Sequence, residues 1–175
     1  MNSLKRYDLV LAVYPSARGF AFTLFEGPLS AIDWGVRRAR GQRKNELYLR
    51  IVDAMLARHR PDVVVLQDTS SKGTHRSRRV SSLNTAIGEL AERHGIPVYA
   101  YSRAQVRLAF GHLLFTSKHA IAKEIAEHIS VFERYLPPPR KPWMAEDGRM
   151  GLFDAAALAL TFFKFVSEGQ GKPPE

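Results

Sequence analysis

The sequence predicts one α/β domain built on a mixed sheet, and two observations carry that prediction. Near the N-terminus three strand-like runs are joined by connections too short for a crossover, which makes them antiparallel neighbours. Further on, two apolar runs, Pro61 to Asp68 and Ile96 to Tyr101, alternate with stretches of helical periodicity, the order expected of strands with helical crossovers.

The first run is Tyr7 to Val13, ended by Tyr14-Pro15-Ser16. The second, Phe20 to Phe25, is rich in aromatics and stops at the turn signal Glu26-Gly27-Pro28. Ala31 to Val36 completes a meander. From Asn45 to His59 the apolar residues Leu47, Leu49, Ile51, Val52, Met55 and Leu56 recur at helical spacing. Pro61 ends that helix and opens the run Val63-Val64-Val65-Leu66-Gln67-Asp68. A β-branched run of this length reads as a strand buried on both faces, expected at the centre of the sheet, with active-site residues at its carboxyl end.

Thr69 to Arg79 is polar and strongly basic, with Lys72, His75, Arg76, Arg78 and Arg79 around Gly73. A helix with Leu83, Ile87 and Leu90 on one face follows and stops at His94-Gly95. Ser102-Arg103-Ala104-Gln105 is a capping box opening a helix to about Phe110. Ser117 caps another, with Ile121, Ile125 and Ile129 at four-residue spacing. Leu136-Pro137-Pro138-Pro139-Arg140-Lys141-Pro142-Trp143 cannot be helical and is expected as an extended loop packed over the domain, with Trp143 as a core anchor rather than a base-stacking platform. Leu152 to Val166 reads as an apolar helix. The expected organisation is a single domain over 1–168 with a frayed tail over 169–175, and no internal repeat.

The chain has 175 residues, 45% hydrophobic and 25% charged, ordinary values for a globular domain. Its charge is not ordinary. Twenty-six Lys and Arg against 17 Asp and Glu give +9. A basic excess of this size favours a polyanionic partner, nucleic acid before a membrane surface. The absence of cysteine excludes disulfides, thiolate zinc sites and cysteine nucleophiles. With no apolar run of the roughly 18 residues that span a bilayer, and no signal-peptide core, a cytoplasmic protein without membrane partners is expected.

The order of these motifs resembles the RuvC-like Holliday-junction resolvases of the RNase H-like superfamily, over most of the chain. Leu11 to Arg18 is similar to that family's first strand, which ends in Asp-Pro-Gly. Pro61 to Asp68 is similar to the strand that carries its Glu. Tyr101 to Arg107 resembles its Arg-Gln-Val-Lys helix start, with Lys118 near a usual basic position. Gly151 to Ala159 resembles its closing Asp-x-x-Asp-Ala-x-Ala helix. The resemblance implies an RNase H-like mixed five-stranded sheet flanked by helices, a homodimer, DNA as partner, and two Mg²⁺ or Mn²⁺ ions held by four carboxylates. Two such ions stand about 3.5–4 Å apart and need convergent oxygen ligands.

Carried over position by position, those four ligands fall on Tyr14, Gln67, Gly151 and Asp154, of which one is a carboxylate. Asp8, six residues before Tyr14, would lie about 20 Å away along a strand. Asp68 adjoins Gln67 but alternation turns it to the opposite face unless the strand ends or bulges there. A rebuilt set of Asp68, Asp147 and Asp154, with Glu146 nearby, is the remaining route to a metal. Each has a plainer role: Asp154 at a helix start, Asp68 in an Asx turn with Thr69 and Ser70, Glu146-Asp147 as a solvated pair.

Three functions stay open at this point. The first is a nucleic-acid-binding protein for structured or branched DNA, a pseudo-nuclease with no cofactor, using Lys72, His75, Arg76, Arg78, Arg79, Arg107 and Lys118. The second is a divergent Mg- or Mn-dependent endonuclease with relocated carboxylates. The third is a non-catalytic protein-interaction subunit. The family carries a base-stacking aromatic just after its Glu, and Ser70 stands nearest that place here. His112 and His119 have no evident carboxylate partner and read as surface or capping residues.

Overall fold

A computed structural model describes residues 7–70, 76–113 and 116–167. The three N-terminal runs form the expected meander: β1 (Leu9–Ser16), β2 (Gly19–Glu26) and β3 (Ala31–Arg37), each antiparallel to the next. The β1–β2 turn holds two residues, and the Ser16 hydroxyl accepts from Arg18 N at 3.3 Å. At Gly19 a Cβ would meet the Arg37 carbonyl oxygen at 2.0 Å, so only glycine lets β3 end this close to β2. A register shift between Leu24 and Phe25 bends the β2–β3 ribbon.

Helix α1 (Lys44–His59) leads to β4 (Val63–Gln67), α2 (Arg78–Arg93) to β5 (Val98–Tyr101), and then come α3 (Arg103–Ala109), α4 (Lys118–His128) and α5 (Met150–Ser167). A short 3-10 helix, Ser130–Tyr135, follows α4. The sheet order is β3-β2-β1-β4-β5, with β4 parallel to both β1 and β5. The mixed α/β sheet is thus as expected, but β1, not β4, is its middle strand. Burial on both faces reports helices above and below a strand and leaves its rank in the sheet open. One Asp62 carboxylate oxygen, accepting from Asp8 N at 3.0 Å and Leu9 N at 2.9 Å, pins the start of β1 to the approach of β4.

Strand alternation divides the core. Leu11, Val13, Val64 and Leu66 pack under α1 and α2 with Tyr48, Val52, Leu83 and Ile87. Val10, Ala12, Tyr14, Val63 and Val65 face α5, which is apolar around most of its circumference and supplies Phe153, Leu158 and Phe162. Several boundaries move in ways that matter for the site. β1 runs through Tyr14 to Ser16, α2 opens at Arg78 behind the cap Ser77, and α5 opens at Met150. Arg78 and Arg79 are therefore first-turn helical residues, and Asp154 sits in the second turn of α5.

Two expectations fail in the segment before α5. Residues 138–146 are exposed, so only Leu136 and Pro137 of the proline-rich stretch pack on the domain and the rest does not. Trp143 is 79% exposed and is no core anchor. The stretch leaves the core after Pro137, which is itself buried, and Pro138 and Pro139 carry the extended chain out into solvent. Leaving such a ring in water forgoes on the order of 3 kcal/mol of burial.

Candidate functional site

The carboxyl ends of β1, β4 and β5 open into a cleft of about 660 Å³. Alternation sends Tyr14 of β1 and Gln67 of β4 to the face of the sheet that α5 covers. Gly151 and Asp154, three residues apart on α5, line the same cleft. A Cβ on Gly151 would touch the Ala21 Cβ at 3.4 Å, an ordinary contact, so the missing side chain leaves room rather than relieving a clash.

Cations occupy the floor. Arg76, the residue before the α2 cap, turns its guanidinium into the cleft, where it donates to the Tyr14 hydroxyl, to Gln67 Oε1 and, at 2.7 Å, to the Pro15 carbonyl. Its Cζ lies 4.6 Å from the Tyr14 ring centroid. Among the described residues these three hydrogen-bond partners are all neutral, while the Asp154 carboxylate acts on the guanidinium through space. Lys118, the first residue of α4, reaches Glu146 Oε1 at 2.9 Å and Asp154 Oδ2 at 3.2 Å, with its Nζ 5.8 Å from the Tyr14 ring centroid.

Burial sets the proton affinities. It pushes the Tyr14 phenol up, reinforced by Asp154, so Tyr14 is a neutral hydroxyl near pH 7. It pushes the Asp154 carboxyl up as well, against the pull of Lys118. Burial would lower the Lys118 ammonium, but its acidic neighbours, Asp154 foremost and then Glu146, raise it and hold the ammonium charged. Asp147 lies at the rim, where hydrogen bonds from Arg149, one of them 2.7 Å long, hold its carboxyl down at about 2.

The remaining expected residues are dispersed. Asp68 does not line the cleft; it accepts from Ser70 N at 2.9 Å and Ser70 Oγ at 2.6 Å, the Asx turn that was its plainer role. Arg107 lines the cleft from α3 and is exposed. Arg78 is exposed on α2, while Arg79 is bound to Asn45 Oδ1 at 2.9 Å and to the Ser16 and Ala17 carbonyls. Lys72 and His75 lie outside the described residues. His112 does have a carboxylate partner, Glu124 at 3.0 Å, one helix away in sequence. Arg18, Arg38 and Arg103, which sequence reasoning passed over, also line the cleft. Their sequence signals were weak: a two-residue hairpin turn for Arg18, and the first position after the Ser102 cap for Arg103.

No protein-family model matches the sequence, and no curated protein matches it. Solved structures do. Thermus thermophilus RuvC in complex with a Holliday junction substrate superimposes with a TM-score of 0.69 at 22% identity, over 96% of this chain and 100% of that one. The fold is that of RuvC. The yeast mitochondrial Holliday junction resolvase Ydc2 follows at a TM-score of 0.59 and 12% identity, over 92% and 80% of the two chains. The fowlpox virus Holliday junction resolvase gives 0.52 and 13%, over 90% and 99%.

A RuvC fold raises the question of metal at this cleft, and the donor set answers it. Two hard divalent cations need several convergent oxygens, most of them anionic. The four positions that the resemblance assigns hold a neutral phenol, an amide, a glycine and one carboxylate already paired with Lys118. The described residues contain no group of three His, Asp or Glu able to hold a metal ion. In particular, Asp68, Asp147 and Asp154 are not gathered into one. The residues present do not fit a two-metal centre, and a guanidinium and an ammonium stand among them.

Proposed function

We propose that this RuvC-like chain binds structured or branched DNA through the cleft and does not cut it. The observation that carries the reading is the placement of Arg76 and Lys118 among the four resemblance-assigned positions. A guanidinium oriented by neutral hydrogen-bond partners suits a phosphate oxygen, since its direction is set before the anion arrives. Arg18, Arg38, Arg103 and Arg107 extend the positive lining towards the rim, in agreement with the net charge of +9. The similarity to a RuvC structure determined with a Holliday junction substrate makes a four-way junction the first DNA to test. The resemblance also implies a homodimer, which sedimentation velocity would test.

The experiment pairs binding with cleavage. A labelled four-way junction and a linear duplex are titrated with protein at several salt concentrations, and the same junction is incubated with Mg²⁺ and with Mn²⁺. The expected result is junction binding that weakens as salt rises, through counterion release, with no product strands. Robust cutting abolished by Asp154→Asn would overturn the non-nuclease reading. No binding at low salt would reject the DNA reading in favour of a protein-interaction subunit.

A further inference from the structure

Trp143 stands out against the rest of the surface. It is 79% exposed, its neighbour Met144 is 47% exposed, and Arg140 and Lys141 stand just before Pro142 on its N-terminal side. The backbone that carries the ring is held in a turn. Met144 N donates to the Lys141 carbonyl at 3.0 Å, closing a turn with Pro142 and Trp143 at its centre. Proline at the first central position fixes that backbone before any partner arrives. Lys141 Nζ lies 5.4 Å from the Trp143 ring centroid, so a positive charge accompanies the aromatic surface.

The turn is continuous with the cleft. Three residues after Trp143, Glu146 reaches Lys118, and Glu146, Asp147 and Gly148 line the cleft wall. Three residues of extended chain span at most about 11 Å, so the backbone of Trp143 lies within that length of Glu146 on the cleft wall. Charge decides the class of occupant. An apolar protein surface would meet Arg140 and Lys141 without compensation, whereas a nucleotide offers a base for the ring and a phosphate for the cations.

We infer that Trp143 is a stacking platform for an unstacked nucleobase, with Lys141 and Arg140 contacting the adjoining phosphates. This site rests on the DNA reading of the cleft and adds to it a means of telling splayed strands from continuous duplex. An unpaired or distorted base exposes the face that an indole needs, and a base inside a duplex does not. The rigid turn lowers the ordering cost of forming the contact.

The test uses the full chain and a four-way junction of synthetic oligonucleotides, with affinity read by anisotropy of a labelled strand and stacking by intrinsic tryptophan fluorescence. Subtracting the signal of the Trp143→Phe protein, which retains Trp34, isolates the emission of Trp143. The expected result is quenching of that emission at saturation, an affinity about tenfold weaker for Trp143→Ala, and near-normal affinity for Trp143→Phe. Junction binding without quenching, and with Trp143→Ala equal to the parent, would overturn the stacking site and leave the cleft reading intact. Failure of the parent protein to bind any junction at low salt would overturn both.

Discussion

Arg76 donates to the hydroxyl of Tyr14 while its Cζ stands 4.6 Å from the centroid of the same ring, joining residues 62 apart in sequence. The pair fixes the cleft floor, since Arg76 is also bound to Gln67 and Pro15. Arg76→Ala removes the fork and leaves the Tyr14 hydroxyl and the Gln67 amide oxygen without it. A loss of about 1–3 kcal/mol in urea unfolding is expected, with a severalfold or greater loss of junction affinity. Arg76→Lys should recover part of the affinity and little of the stability, because one ammonium cannot serve three divergent acceptors.

Lys118 and Asp154 give a pH-dependent prediction. Burial raises the Asp154 carboxyl in the folded state above its unfolded value, so the folded protein takes up its proton first and this group's contribution to stability falls as pH rises through the folded value. Lys118 offsets that penalty wherever Asp154 is ionised. Lys118→Ala should therefore cost about 2 kcal/mol at a high pH, where Asp154 is ionised, and clearly less at a low pH, where it is protonated. Denaturant melts at the two pH values measure the difference, and equal losses would show that an ionised Asp154 is not what Lys118 stabilises.

The two arginines that open α2 should separate in their effects. Arg78 is exposed, whereas Arg79 ties α2 to Asn45 and to the β1–β2 turn. Arg78→Glu is expected to lower junction affinity and flatten its salt dependence while leaving the unfolding midpoint within about 0.5 kcal/mol of the parent. Arg79→Ala should lower stability by about 1–2 kcal/mol. Thermal melts beside binding titrations would reveal the opposite ordering if the assignment were reversed.

Carboxylates can be put back. Combining Tyr14→Asp, Gln67→Glu and Gly151→Asp would place three acids beside Asp154, and the Gly151 position admits a Cβ at ordinary contact distance. Millimolar Mn²⁺ should raise the melting temperature of that variant and leave the parent unmoved, because a ligand stabilises only the state that binds it. An equal shift in both proteins would mean that the parent already holds manganese.

The meander, the alternation of helices with β4 and β5, and the facing of Tyr14 and Gln67 were legible in the sequence, because each depends on local periodicity or on strand parity. Sheet rank was not. Nothing local in Val63 to Gln67 distinguishes a middle strand from its neighbour, and pairing is decided by partners some 50 residues away. The contacts of Arg76 and Lys118 were hidden for the same reason, since they join residues from separate elements that only the finished fold brings together. Trp143 misled because tryptophan is usually buried, and nothing local in its flanking sequence says where the chain leaves the core.

One consequence of the Arg76 and Lys118 arrangement concerns supply. A bound divalent ion comes and goes by mass action, so a floor built on metals is charged only when the surrounding solution provides them. Here the positive groups are part of the polypeptide, fixed by Tyr14 and Gln67 on one side and by Asp154 and Glu146 on the other. No chelator can strip them and no metal shortage can discharge them. Arg76 and Lys118 hold the same places in the cleft whether divalent ions are abundant or absent.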